Sequence, residues 1–335
     1  MSSAPTAEEI ARDARWLAQA LDPSAGQVRL VAMDRESYRA ASFLDDRMLQ
    51  QAVDAHIVPW PDVEEAVSDE MRSDARWIFH IGHVGSTLVS RLLGEIPGVL
   101  AIREPRLLRD LAMSPPAVRE RYLAAAPKLM SRTFTENEIA CVKATSLVSE
   151  IASALVPPAE RALFMYAAPR NYIASILAGE NSVKELRMLA VSRAQRLASR
   201  VSAIGPAHSD AELAGVAWAC EMTALESSAE AMAGGRILWA DFDRMLTDMP
   251  AALRSVTEHF GYAVDDETLK TTASGPLMRR YSKGLEHDYS PDLRRDLIEE
   301  AGQQHGPQIE SALAMLRSAA EKSPLLARAL SRAEG

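Results

Sequence analysis

Apolar residues along the chain follow two rhythms. Five short, nearly continuous runs are bounded by polar or turn-forming residues: Trp77 to Ile81, Val99 to Ile102, Ile139 to Val142, Ala162 to Tyr166, and Ile237 to Ala240. Between them the apolar positions recur at helical spacing, at Leu88, Leu92 and Ile96, and at Leu213, Val216, Ala217, Cys220, Ala224 and Ala231. Further helices are expected near 117–132, 183–204, 210–233, 250–260, 266–272, 291–301 and 307–319. Runs too short for a helix, alternating with helical segments, predict an α/β fold with a central parallel sheet covered on both faces.

The first 75 residues carry a different signal. Ile10, Ala14, Leu17 and Leu21 share one helical face, and Asp22-Pro23 ends it, which predicts an amphipathic helix over 7–21. Phe43, Leu44, Met48 and Leu49 predict a second helix within 36–55. The expected organisation is a helical extension over 1–75 packed on a core domain over 76–335, one domain overall. No repeat, low-complexity segment or linker interrupts it. Asp45, Asp46, Glu64 and Glu65 read as a solvated acidic face with no chemistry.

Candidate chemistry begins after the first apolar run. Gly82-His83-Val84-Gly85-Ser86-Thr87 joins a strand to a helix, and a glycine loop in that position aims backbone N–H groups at the positive end of the helix dipole. Such a spot takes phosphate or sulfate, and the Ser86 and Thr87 hydroxyls add donors. The spacing is not that of a nucleoside triphosphatase loop: with four residues intervening after Gly82 the second glycine would fall at position 87, which is Thr87, and no lysine precedes the hydroxyl pair.

Ligands of open parallel sheets sit beyond the carboxyl ends of the strands, where Glu104 follows the second run and Lys143 closes the third. Asp241 and Asp243 end the last run and suit either a magnesium site or a helix N-cap.

Charge and composition narrow the partners. A net charge of −9 argues against general binding of nucleic acid or anionic membrane, so any anion site is local. Cys141 and Cys220 lie in apolar contexts without ligand spacing and read as buried thiols. No apolar run reaches the length of a membrane span or signal core, so a cytoplasmic protein is expected.

Four segments in order resemble the sulfotransferase family. They are the loop at 82–87; Tyr166 to Ser175, with Pro169 and Ser175 in the family's proline–serine spacing; Arg236 to Pro250 continuing to Phe260-Gly261-Tyr262; and the basic patch Met278 to Lys283. The resemblance implies a divergent, bacterial-type member with a P-loop NTPase-like three-layer α/β/α fold. It implies transfer of a sulfuryl group from 3′-phosphoadenylyl sulfate to a hydroxyl or amine of a small-molecule acceptor, with no metal.

Carried onto this sequence, Gly82, Val84, Gly85, Ser86 and Thr87 hold the phosphosulfate, and Arg170 and Ser175 the 3′-phosphate. Arg279, Arg280 and Lys283 close over it, while His83 and Lys143 stabilise the leaving oxygen and Glu104 serves as base. Three positions depart from the family: His83 stands for a lysine, Ala167 for an arginine, and Thr145 for the histidine of a lysine-x-histidine pair. The same residues leave open a kinase using Asp241 for magnesium and a non-catalytic nucleotide-binding protein. The apolar faces of the N-terminal helices are open to the core or to a second copy of the chain.

Overall fold

A computed structural model describes residues 3–50, 53–232, 236–280 and 290–335. Its strands are β1 (Trp16–Asp22), β2 (Gln27–Ala32), β3 (Ala55–Pro59), β4 (Arg76–His80), β5 (Val99–Arg103), β6 (Ile139–Lys143), β7 (Arg161–Tyr166) and β8 (Arg236–Asp241). Strands β4 to β8 are the five apolar runs. They form one parallel sheet in the order β5-β6-β4-β7-β8, flanked by helices, which is the α/β class expected.

Continuous apolar runs suit strands buried on both faces. Trp77, Ile78 and Phe79 of β4 are fully buried, and edge-on contacts link Phe79 to Phe164 at 5.7 Å and Phe164 to Trp239 at 5.1 Å. Helix Asp210–Ala231 is buried around most of its circumference because helices Pro169–Leu177, Glu180–Ala198, Gly306–Ala320 and Pro324–Glu334 surround it. From β4 the chain moves out to β5, returns through β6, and then crosses to β7 and β8. Strand order therefore reverses beside the carboxyl end of β4, the place where open α/β sheets bind ligands.

The N-terminal segment differs from the expected pair of helices. Helix stops at Arg12, β1 begins at Trp16, and β1, β2 and β3 form an antiparallel sheet. A spacing of four, as between Leu17 and Leu21, satisfies both a helical turn and two strand repeats, so periodicity alone misassigns it. In place of the helix over 36–55 are a short helix, Arg35–Ala40, a 3-10 turn, Asp46–Gln50, and β3.

Buried arginines of the core tie this segment down. The Arg103 guanidinium donates to the carbonyls of Ala41 at 2.8 Å, Arg39 at 3.1 Å and Tyr38, while Leu44 N donates to Arg103 O at 2.7 Å. Arg91 reaches Ala40 O and Ser42 Oγ, and Arg132 reaches Ile10 O and Trp16 O. Burial pulls the Arg103 pKa down to about 9, so its charge is sustained by carbonyl dipoles and not by a carboxylate partner.

The glycine loop is fixed by Phe242, the residue that follows β8. Gly82 and Gly85 have φ of +81° and +60°, and a Cβ on Gly85 would lie 1.9 Å from the Phe242 ring, whereas one on Gly82 would meet nothing within 4 Å. Both positions need left-handed backbone, but only Gly85 also needs the missing side chain. Gly85→Ala is expected to cost about 2–4 kcal/mol and Gly82→Ala about 1 kcal/mol. Urea denaturation measures both, and equal losses would mean that the Phe242 contact does not set the loop.

Candidate functional site

Helix Ser86–Leu93 starts directly from the loop, and its N-cap residue, Gly85, contributes no side-chain hydrogen bond. Its first-turn N–H groups are left for a ligand at the positive end of the helix dipole. Ser86 and Thr87 are buried there, and Thr87 Oγ1 makes no hydrogen bond within the structure. A buried hydroxyl without a partner is costly, and an anion in the loop would supply the acceptor.

Facing the loop are the ends of β5 and β6, where Glu104 and Lys143 are joined twice. Glu104 N donates to Lys143 O at 2.7 Å, and Lys143 Nζ pairs with Glu104 Oε1. Glu104 has φ of +54°, which turns its side chain back over the neighbouring strand. His83, in the loop, has the same φ. These two are the non-glycine residues with left-handed backbone among the described residues, and strain of this kind gathers at functional sites. The His83 ring meets Tyr172 edge-on at 6.3 Å, and the Tyr172 hydroxyl donates to Ile81 O below the loop.

The segment after Ala41 forms another wall. Arg47 stacks on Phe43 with its guanidinium 3.4 Å from the ring centroid, forks onto Asp45 at 2.6 and 2.8 Å, and lies 3.7 Å from Glu104 Oε2. Burial disfavours the Asp45 carboxylate, but hydrogen bonds from the Arg47 side chain and backbone outweigh that and hold its pKa below the ordinary range. Asp45 is therefore buried and paired instead of solvated, whereas Asp46, which pairs with Arg29 and Arg106, is exposed, as are Glu64 and Glu65, in keeping with the expected acidic face.

These elements enclose a cavity of about 910 Å³. Ten of the residues singled out in the sequence line it: Gly82, His83, Val84, Gly85, Ser86, Thr87, Glu104, Lys143, Ser175 and Arg280. Arg170 does not; its guanidinium pairs with Glu310 of helix Gly306–Ala320 at an exposed position. Arg279 is exposed and outside the lining, and Lys283 lies outside the described residues. Asp241 Oδ1 accepts from Asp243 N at 2.8 Å and Arg244 N at 3.2 Å, so it is the N-cap of helix Phe242–Thr247.

Sequence reasoning missed Phe43, Asp45, Arg47, Arg109, Arg193 and Arg294 in the lining. Arg294 donates to Asp243 at 3.0 Å and covers the Phe242 ring, while its Nη2 is buried without a hydrogen bond. A carboxylate two residues past a strand and an arginine in a distant helix carry no spacing signal that would have joined them. Among the described residues the lining holds seven arginines and lysines against three carboxylates. In a chain of net charge −9, that local excess focuses positive potential into the cavity.

No family model matches the sequence, and no curated protein sequence matches it. Among solved structures, the chain is similar to the sulfotransferase domain from the curacin biosynthetic pathway, with 10% identity over 71% of this chain and 99% of that one, TM-score 0.41. It is also similar to the sulfotransferase domain of the Synechococcus PCC 7002 olefin synthase, with 14% identity over 71% and 97%, TM-score 0.42. A third is the mouse sulfotransferase SULT7A1 complexed with PAP, with 11% identity over 78% and 89%, TM-score 0.36. At this level of likeness no residue role is carried over from them.

Because Glu104 and Lys143 are buried together, removing one strands the other's charge. Lys143→Met is expected to cost about 3–5 kcal/mol, and adding Glu104→Gln should recover a large part of it. A double-mutant cycle by chemical denaturation checks this; additive losses would mean that the pair does not hold the site together.

Proposed function

We propose that this chain transfers a sulfuryl group from 3′-phosphoadenylyl sulfate to a hydroxyl or amine of a small-molecule acceptor. The observation that carries the reading is that one cationic cavity brings an uncapped glycine-loop helix against the buried Glu104–Lys143 pair.

Sulfuryl transfer resembles phosphoryl transfer in needing in-line positioning, stabilisation of the leaving group and a base. In this reading the loop N–H groups with Ser86 and Thr87 hold the phosphosulfate. Arg294 Nη2, buried without a hydrogen bond, and Arg280 receive the remaining phosphate, with Ser175 turning its hydroxyl from Tyr172 O, to which it donates at 2.8 Å, toward it. Glu104 Oε2, which takes no hydrogen bond from a described residue, accepts the proton of the acceptor as its oxygen or nitrogen bonds to sulfur. The bond from sulfur to the phosphate oxygen breaks, and the charge left on that oxygen meets His83, Lys143 and the helix N-terminus.

Protonation of Glu104 also removes the charge that Lys143 is paired with. Lys143 is then released toward the leaving oxygen in the same step. Asp241 Oδ1 is taken up as an N-cap and Asp241 does not line the cavity, which favours this reading over a kinase using Asp241 for magnesium.

Turnover of 3′-phosphoadenylyl sulfate to the bisphosphate, followed against a panel of alcohols, phenols and amines, tests the reaction. Glu104→Gln is expected to lower kcat by about 10²- to 10⁴-fold and His83→Ala by about 10²- to 10³-fold. Activity within about twofold of the parent in both variants would remove these assignments.

A further inference from the structure

Helix Glu180–Ala198 walls the cavity along one face, with Glu185, Met188, Leu189 and Arg193 following one another at helical spacing. The apolar part of that face lies at an open mouth. Met188 is 75% exposed, and Leu293 and Leu297 of helix Pro291–Gln304 are 44% and 43% exposed beside the same cavity.

At the inner end of the face stands Arg193, 5% exposed. Its Nε is 3.5 Å from Glu221 Oε1, buried and without a hydrogen bond, and no described residue accepts from the rest of its guanidinium. A guanidinium has five donors, and burying it without acceptors is costly. Its neighbours do not balance it. Glu221 takes Arg196 at 2.8 Å, and Glu150 takes both Arg196 and Arg200, so three arginines share two carboxylates. Behind Arg193 lies a second recess of about 300 Å³, lined by small and apolar residues with no carboxylate. Glu221 keeps one oxygen, Oε2, without a hydrogen bond, and Arg193 also lines the cavity, from which a ligand anion can reach its guanidinium.

An apolar stretch that ends in a buried guanidinium making no hydrogen bond to a described residue is complementary to a molecule with a hydrocarbon body and an anionic end. We propose that the acceptor is an amphipathic hydroxy compound bearing a carboxylate-type anion, which Arg193 receives while Met188 and Leu189 cover its body. This rests on the sulfuryl-transfer reading for the word acceptor, but the binding itself does not.

The test is calorimetric titration of the full chain with ω-hydroxydecanoate and with its methyl ester, each with and without adenosine 3′,5′-bisphosphate. The acid is expected to bind about tenfold or more tightly than the ester, a preference that Arg193→Gln abolishes and Arg193→Lys partly restores. Met188→Glu, at an exposed position where the fold is not at stake, should weaken the acid more than the ester. Bisphosphate affinity should be unchanged in all three variants.

Equal binding of acid and ester by the parent chain would overturn the proposal. So would an Arg193→Gln variant that loses the bisphosphate and keeps the acid preference, since Arg193 would then serve the nucleotide. If the parent chain does not bind the bisphosphate but prefers the acid through Arg193, the sulfuryl-transfer reading fails and the anion site stands.

Discussion

The site depends on a buried ion pair at the ends of two neighbouring strands. Glu104 and Lys143 are pinned by a backbone hydrogen bond as well as by their side chains, so neither charge can relax into water without undoing the edge of the sheet. A carboxylate and an ammonium buried together hold each other in place, and chemistry that neutralises one changes the field of the other. The left-handed backbone at Glu104 is the local cost of aiming its carboxylate back over β6. On the opposite side, the Gly85–Phe242 contact fixes where the loop helix begins. A rigid anion cradle thus faces a buried charge pair.

The N-terminal segment belongs to this site as much as the sheet does. Arg103 lies one residue before Glu104 and spends its guanidinium on the carbonyls of residues 38, 39 and 41. The same connection that closes the core carries Phe43, Asp45 and Arg47 to the cavity. A change that loosens Arg103 would therefore reach Glu104 both through the backbone and through Arg47.

Much of the core was legible because its signals are local. Continuous apolar runs marked β4 to β8, and the glycine loop, Glu104 and Lys143 could be placed from strand ends alone. What stayed hidden needed distance information. Leu17 and Leu21 fit a helix and a strand equally well, so β1 was misread. Asp45 looked like a surface charge until the fold linked it through Arg47 to Glu104. Arg170 sat in the right motif but pairs with Glu310, more than a hundred residues away, while Arg193 and Arg294 entered the cavity from helices without a recognisable motif.

The central claim is that this cationic cavity is a nucleotide site built for a 3′-phosphate. Calorimetric titration with adenosine 3′,5′-bisphosphate and with 5′-AMP tests it most directly. The account predicts micromolar binding of the bisphosphate, about tenfold or more tighter than 5′-AMP. Equal affinity for the two, or no saturable binding of either, would contradict it.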